Sequence, residues 1–237
     1  MHIREIENDD LKIKPPKLYC DVPLGNNVLP PLPNKHAAIG IIGSAGSGKS
    51  SWAISLLTNK QAYKGVFHNV YFIIPPHSRA SVANKIFEKH DQSKIYDELT
   101  PSILEDIKAK VEQESEEGFN SLLVIDDCTV YLKNKTNEML LKALIYNRRH
   151  MKLSIWLLSQ SFTQLPLSIR KCLSHLVLFK CRNKKEYTSV FEELIFLDKD
   201  VADKVVQYVY KGPHDFLFSN VETGDIYRNF NKLEIEQ

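Results

Sequence analysis

At 237 residues the chain can enclose one substantial core, and its 43% hydrophobic and 25% charged content is that of an ordinary soluble globular protein. A net charge of +2 is too small to mark a nucleic-acid binder by itself, so any contact with DNA has to come from a local patch. No apolar stretch approaches the ~20 residues that span a bilayer; Cys20, Cys128, Cys172 and Cys181 show no C-x-x-C spacing and no histidine stands at metal spacing from a second ligand, so neither a zinc site nor a disulfide framework is indicated.

The first residues, MHIREIENDD, mix both charges and lack an apolar centre, so they do not read as a secretory signal and the protein is expected on the cytosolic side. Residues 1–35 carry six of the eleven prolines (Pro15, Pro16, Pro23, Pro30, Pro31, Pro33), which deny backbone donors and favour extended chain. This composition fits an arm that wraps the core or a neighbour, and equally a loosely ordered leader. Residues 36–237 are then expected to form one α/β domain.

Its first strand is predicted at Ile39–Ile42, followed at once by Gly43-Ser44-Ala45-Gly46-Ser47-Gly48-Lys49-Ser50. This run fits G-x-x-x-x-G-K-[ST] at every fixed position. The three glycines let the backbone fold into a nest of converging amide hydrogens, and a helix opening from Ser47 onward turns its positive end to the same point. A polyphosphate fits there, with Lys49 on its terminal phosphates and Ser50 holding Mg²⁺.

Alternation continues down the chain. Short apolar runs predict buried parallel strands at Val70–Ile74, Leu122–Ile125, Leu153–Leu158 and Leu176–Phe179. Helical patterns fall at Lys49–Thr58, Ser81–Lys89, Pro101–Glu117, Thr136–Tyr146, Lys184–Leu194 and Lys199–Val209, with Thr100 and Pro101 reading as N-cap and first turn and Gly118 as a stop. Such a series implies a mainly parallel central sheet with helices on both faces. Tyr71, Phe72 and Trp156 fall inside strand patterns and read as core.

The Leu122 strand ends in Asp126 and Asp127. Ligands of open parallel sheets sit beyond the carboxyl ends of the strands, which places the pair beside the phosphate loop. Asp126 suits Mg²⁺, partnering Ser50, and Asp127 suits the base that orients or deprotonates an attacking water. The Leu153 strand delivers Gln160 to the same edge, where an amide can donate to a phosphate oxygen and accept from water. Arg148 and Arg149 precede that strand, on the opposite edge from their own phosphate loop, so either can act as a finger only in a neighbouring subunit's site. Arg170, after Gln160, is the other candidate, predicted on the ligand-facing edge. Lys133 and Lys135, and Lys180, Arg182, Lys184 and Lys185, are candidate phosphate-backbone contacts for DNA.

In order and spacing over about residues 37 to 182, the set GSAGSGKS, LLVIDD, NRRH and Gln160 resembles the genome-packaging ATPases of large double-stranded DNA viruses, within the FtsK/HerA class of DNA pumps. The resemblance implies a RecA/FtsK-like P-loop fold, ATP and Mg²⁺ as ligands, and a homo-oligomeric ring that threads double-stranded DNA into a preformed capsid, with a capsid or portal-vertex protein as partner. It implies that Gly43 to Ser50 bind nucleotide, Ser50 and Asp126 the metal, and that Lys49, Asp127, Gln160 and an arginine carry the chemistry. It further implies work at the assembly site in the host cytoplasm and in the virion; DNA cutting is not expected. Two other classes stand beside it, a nucleoside or small-molecule kinase and a nucleotide-binding assembly subunit without turnover.

Overall fold

The structure is a computed structural model describing residues 22–25, 27–80, 82 and 86–235. Its strands are β1 (Ala38–Ile42), β2 (Asn69–Ile73), β3 (Ile95–Tyr96), β4 (Ser121–Asp126), β5 (Leu153–Ser159), β6 (His175–Phe179), β7 (Phe216–Asn220), β8 (Ile226–Arg228) and β9 (Asn231–Leu233). They form one sheet in the order β3-β2-β4-β5-β1-β6-β7-β8-β9. All pairs from β3 across to β6 are parallel, and β6 to β9 are antiparallel. The five predicted strands are therefore present within a residue or two. Four further strands extend the sheet at its two edges; each has too few residues or too mixed a pattern to declare itself without the neighbour it pairs with.

The helices are α1 (Lys49–Thr58), α2 (Pro76–Ala80), α3 (Ile86–Lys89), α4 (Pro101–Glu116), α5 (Lys135–Asn147), α6 (Leu167–Arg170), α7 (Lys184–Val190) and α8 (Lys199–Val209). Thr100 caps α4, its hydroxyl accepting from Ile103 N at 3.3 Å, and Gly118 at φ 91° ends it. Of the predicted helix Ser81–Lys89, residues 81 and 83–85 lie outside the described residues and Ile86–Lys89 is helical. The predicted helix Lys184–Leu194 stops as an α-helix at Val190; a π turn, Phe191–Ile195, comes next and ends at Phe196, whose φ is 58°.

Period-2 alternation divides the strands between two cores. Ala38, Ile42, Leu123, Ile125, Ile155 and Leu157 face the side covered by α4, α5 and α8. Ile39, Ile41, Leu122, Val124, Trp156 and Leu158 face the side of α1 and the segment Ala62–Phe67. Leu24 and Val28 bury against this second face, and Tyr63 Oη donates to the Pro33 carbonyl at 2.9 Å, so the described part of the proline-rich stretch lies on the domain; residues 1–21 lie outside the described residues. Tyr71, Phe72 and Trp156 are buried core residues. No helix of the described residues is long and apolar enough to cross a membrane.

The order places β5 between β1 and β4. Ile42 pairs with Ser159 and Asp126 with Leu158, so all three strands end at one level. The phosphate loop, Gln160 and Asp127, each leaving one of these strands, therefore emerge side by side.

Candidate functional site

The phosphate loop leaves β1 with Gly43 N donating to the Ser159 carbonyl at 3.0 Å, which ties it to β5. A Cβ at Gly43 would stand 2.5 Å from Ser47 Oγ and 2.7 Å from the Phe179 Cβ, so only glycine lets the loop close. Gly48 takes φ 109° and caps α1, which starts at Lys49 rather than at Ser47. The first-turn amides of α1 thus face the nest. Lys49 is buried, and its Nζ donates to the carbonyls of Gly43 (2.7 Å) and Ser44 (3.2 Å).

Opposite the loop, Ser50 Oγ donates to Asp126 Oδ2 at 2.8 Å. Burial pushes the Asp126 carboxyl up to about 6. The same desolvation lowers Lys49, against the pull of Asp127 and Asp126. Asp126 Oδ1 is buried without a hydrogen-bond partner. An unsatisfied carboxylate oxygen beside a serine hydroxyl is a hard-oxygen donor set, and it fits Mg²⁺.

Asp127 stands at φ 53°, a left-handed conformation that turns its side chain out of the strand. Gln160 Nε2 donates to its Oδ1 at 3.3 Å and Ser78 Oγ to its Oδ2 at 3.3 Å. Gln160 is itself held from behind. The buried Glu186 of α7 accepts from Ser161 Oγ (2.7 Å), Phe162 N (2.6 Å), Thr163 N (3.4 Å) and Thr163 Oγ1 (2.7 Å), fixing the loop after β5. Lys49, Ser50, Asp127 and Gln160 line one cavity of about 640 Å³ together with the loop residues Ala45, Gly46 and Gly48.

Ser78, Glu186 and His214 are positions at or behind the cavity that sequence reasoning missed. Ser78 rides on the short helix Pro76–Ala80 after β2, a stretch for which no element was predicted. His214 lines the cavity with Nδ1 3.1 Å from the Ser47 carbonyl, and comes from the segment before β7, far from any motif.

The arginines lie elsewhere. Arg148 donates through Nε to the His36 carbonyl (3.1 Å) and through Nη1 to the Ile145 carbonyl (3.0 Å), with Glu222 at 3.5 Å, so it is built into the amino edge of the sheet. Arg149 stands next to it, more exposed, and meets Glu222 at 3.0 Å. Arg170 is not among the residues that line the cavity. Because β6 runs parallel to β5, the chain after Gln160 must return to the amino end, and α6 lies on that return. Arg170 pairs there with Glu193 at 3.1 Å and covers the Phe162 ring at 4.9 Å. Lys133 and Lys135 come after β4, and Lys180, Arg182, Lys184 and Lys185 after β6, all exposed on the edge that carries the cavity.

A family model described as Poxvirus A32 protein matches residues 30–203. No curated protein matched. Among solved structures, B204, the DNA-packaging ATPase from Sulfolobus turreted icosahedral virus, is similar at a TM-score of 0.61 and 17% identity, over 84% of this chain and 98% of that one. The genome packaging NTPase B204 from Sulfolobus turreted icosahedral virus 2, in complex with ATP-gammaS, is similar at a TM-score of 0.54 and 17% identity, over 84% and 98%. EssC (ATPases 2 and 3) from Geobacillus thermodenitrificans reaches a TM-score of 0.53 at 16% identity, over 78% of this chain and 37% of that one. These likenesses show the α/β fold with its mainly parallel sheet.

Proposed function

The chain belongs to the poxvirus A32 protein family, and from that premise we propose that it is an ATP-hydrolysing, oligomeric motor that translocates double-stranded viral DNA into a preformed capsid. The observation that carries this reading is the grip on Asp127. A carboxylate held by Gln160 and Ser78 faces Lys49 and Ser50 across the phosphate-loop cavity. This suits activation of water at a terminal phosphate.

In this scheme the loop from Gly43 to Ser50 binds the triphosphate, and Lys49 exchanges its loop carbonyls for phosphate oxygens. Ser50 and Asp126 would hold Mg²⁺, which supplies charge neutralisation at the β- and γ-phosphates. Asp127 takes the proton of the attacking water, and Gln160 keeps that water aligned. Arg149, half-buried beside Glu222 at the opposite edge of the sheet, serves a neighbour's site in a ring, whereas Arg148 is committed to the His36 and Ile145 carbonyls. The lysines and Arg182 on the cavity edge contact the DNA backbone, and the protein works at the virion assembly site with a capsid or portal-vertex partner. The likeness to the two B204 proteins, one described as a DNA-packaging ATPase and the other as a genome packaging NTPase solved with ATP-gammaS, supports this reading.

The test is ATP turnover with and without duplex DNA. Turnover without any acceptor, raised by DNA, is expected; Lys49→Ala should abolish it, and Asp127→Asn should stop hydrolysis while leaving ATP binding intact. Phosphate transfer that needs a small-molecule acceptor would point to a kinase instead, and tight binding without turnover to an assembly subunit.

A further inference from the structure

The phosphate-loop cavity does not end at the loop. Gly48, Ser51, Ser55 and His214 line both it and a second concavity of about 440 Å³, whose walls are the rings of Trp52, Phe179, Phe216 and Phe230. We infer that this aromatic slot takes the base of a purine nucleoside triphosphate whose phosphates lie in the loop. The inference rests on the hydrolase reading and adds to it where the base goes and which bases are accepted.

Placement supports it first. Ser51 to Ser55 is one turn of α1, a rise of ~6 Å, so a ligand anchored at the loop reaches the slot by following the helix. His214 stands at the junction, its Nδ1 3.1 Å from the Ser47 carbonyl.

The slot is also braced. Phe230 is 39% exposed at the tip between β8 and β9, beside Asn229 at φ 56°, an arrangement that needs holding. Asp215 supplies the hold: its Oδ1 accepts from Asn229 Nδ2 (3.0 Å) and its Oδ2 from Arg228 Nη2 (3.0 Å), Lys211 N (3.0 Å) and Gly212 N (2.7 Å). Asn229 Oδ1 in turn accepts from Phe216 N at 3.1 Å. One carboxylate therefore fixes the segment bearing His214 and the tip bearing Phe230 on the two sides of the opening. The Phe230 ring centroid lies 6.5 Å from Trp52 and 5.3 Å from Phe216, with one part of the ring left to solvent. An exposed phenylalanine set rigidly over an apolar slot beside a phosphate cradle is a stacking platform.

Ring walls reward stacked area more than they read a hydrogen-bond pattern, so the slot favours purines over pyrimidines and separates adenine from guanine weakly. The residues from His214 to Phe230 lie outside the family match over residues 30–203.

The experiment is calorimetric titration of the full chain, with Mg²⁺, by ATP, GTP, CTP, UTP and inorganic tripolyphosphate. Wild type should bind ATP and GTP about tenfold or more tighter than the pyrimidine nucleotides or tripolyphosphate, roughly 1.4 kcal/mol. Phe230→Ala should bring ATP down toward tripolyphosphate while tripolyphosphate itself binds as before, which also reports that the variant is folded; Phe230→Tyr should keep the ATP affinity. Equal affinity of wild type for ATP and tripolyphosphate, an unchanged Phe230→Ala, or a Phe230→Ala that loses both ligands alike would each overturn the slot and leave the hydrolase reading standing. If no ligand binds, or Lys49→Ala binds ATP unaltered, the hydrolase reading itself fails and takes this inference with it.

Discussion

On the proposed mechanism Asp127 acts through the groups that hold it. Its left-handed φ of 53° and the 3.3 Å contacts from Gln160 and Ser78 aim a carboxylate that is one methylene shorter than a glutamate. Removing the amide in Gln160→Ala should therefore lower kcat by about tenfold or more while the Kd for ATP stays within about twofold, since orientation acts on the reacting water and not on the bound phosphates. Comparable losses in kcat and Kd would move Gln160 from chemistry to binding. Gly43→Ala tests the cradle in the opposite sense. An added methyl 2.5 Å from Ser47 Oγ forces the loop open, so ATP binding should be lost and Tm should fall by several degrees, as expected for overpacking of about 1–3 kcal/mol. At this scale the glycines, Lys49, Ser50 and the acid pair were legible because a fixed spacing carries them. His214 and Ser78 were not, because nothing local distinguishes a site histidine or serine from any other.

Among the elements, α7 has a role beyond packing. Glu186 projects from it into the loop after β5 and accepts from four donors of Ser161, Phe162 and Thr163, so the position of Gln160 depends on a helix more than twenty residues downstream. Glu186→Ala leaves buried amide donors unsatisfied. It should cost roughly 2–3 kcal/mol in denaturant unfolding and reduce turnover together with Gln160→Ala, the two effects combining less than additively. Additive losses in the double variant would separate the two residues. The same scale explains where Arg170 lies. The sequence order suggests an arginine after Gln160 on the ligand edge; β5 and β6 both run parallel to the β1 between them, so the intervening chain travels back across the sheet, and the Glu193 ion pair and the Phe162 ring hold Arg170 on that path, off the cavity lining.

For the whole molecule, the two edges of the sheet behave differently. At the amino edge His36 and His175 are buried, and desolvation first, then the cations Lys152 and Arg148 for His36 and Arg148 for His175, lowers each to about 4. Their folded values lie below the unfolded ~6.5, so each favours the fold by up to about 3 kcal/mol above pH 6.5, and this is lost as the pH falls toward 4. Asp126 at the other edge, raised to about 6, works with the opposite sign and offsets part of the loss. Unfolding free energy should therefore fall between pH 6.5 and 4.5, and less steeply in His175→Gln; a flat profile would contradict the burial of both rings. On the proposed reading Arg149, on the same edge, completes a neighbour's site: mixing Arg149→Ala with Lys49→Ala protein should restore part of the turnover, and no recovery in mixed oligomers shown to form would sink the shared site. By itself the sequence determined the phosphate loop, the acid pair and five buried parallel strands, since local spacing and apolar runs encode them. Strand order, the antiparallel β7–β9 extension, and the convergence of Gln160, Ser78, Glu186 and His214 were decided only by the tertiary structure, because pairing between distant segments depends on packing that no single stretch of chain contains.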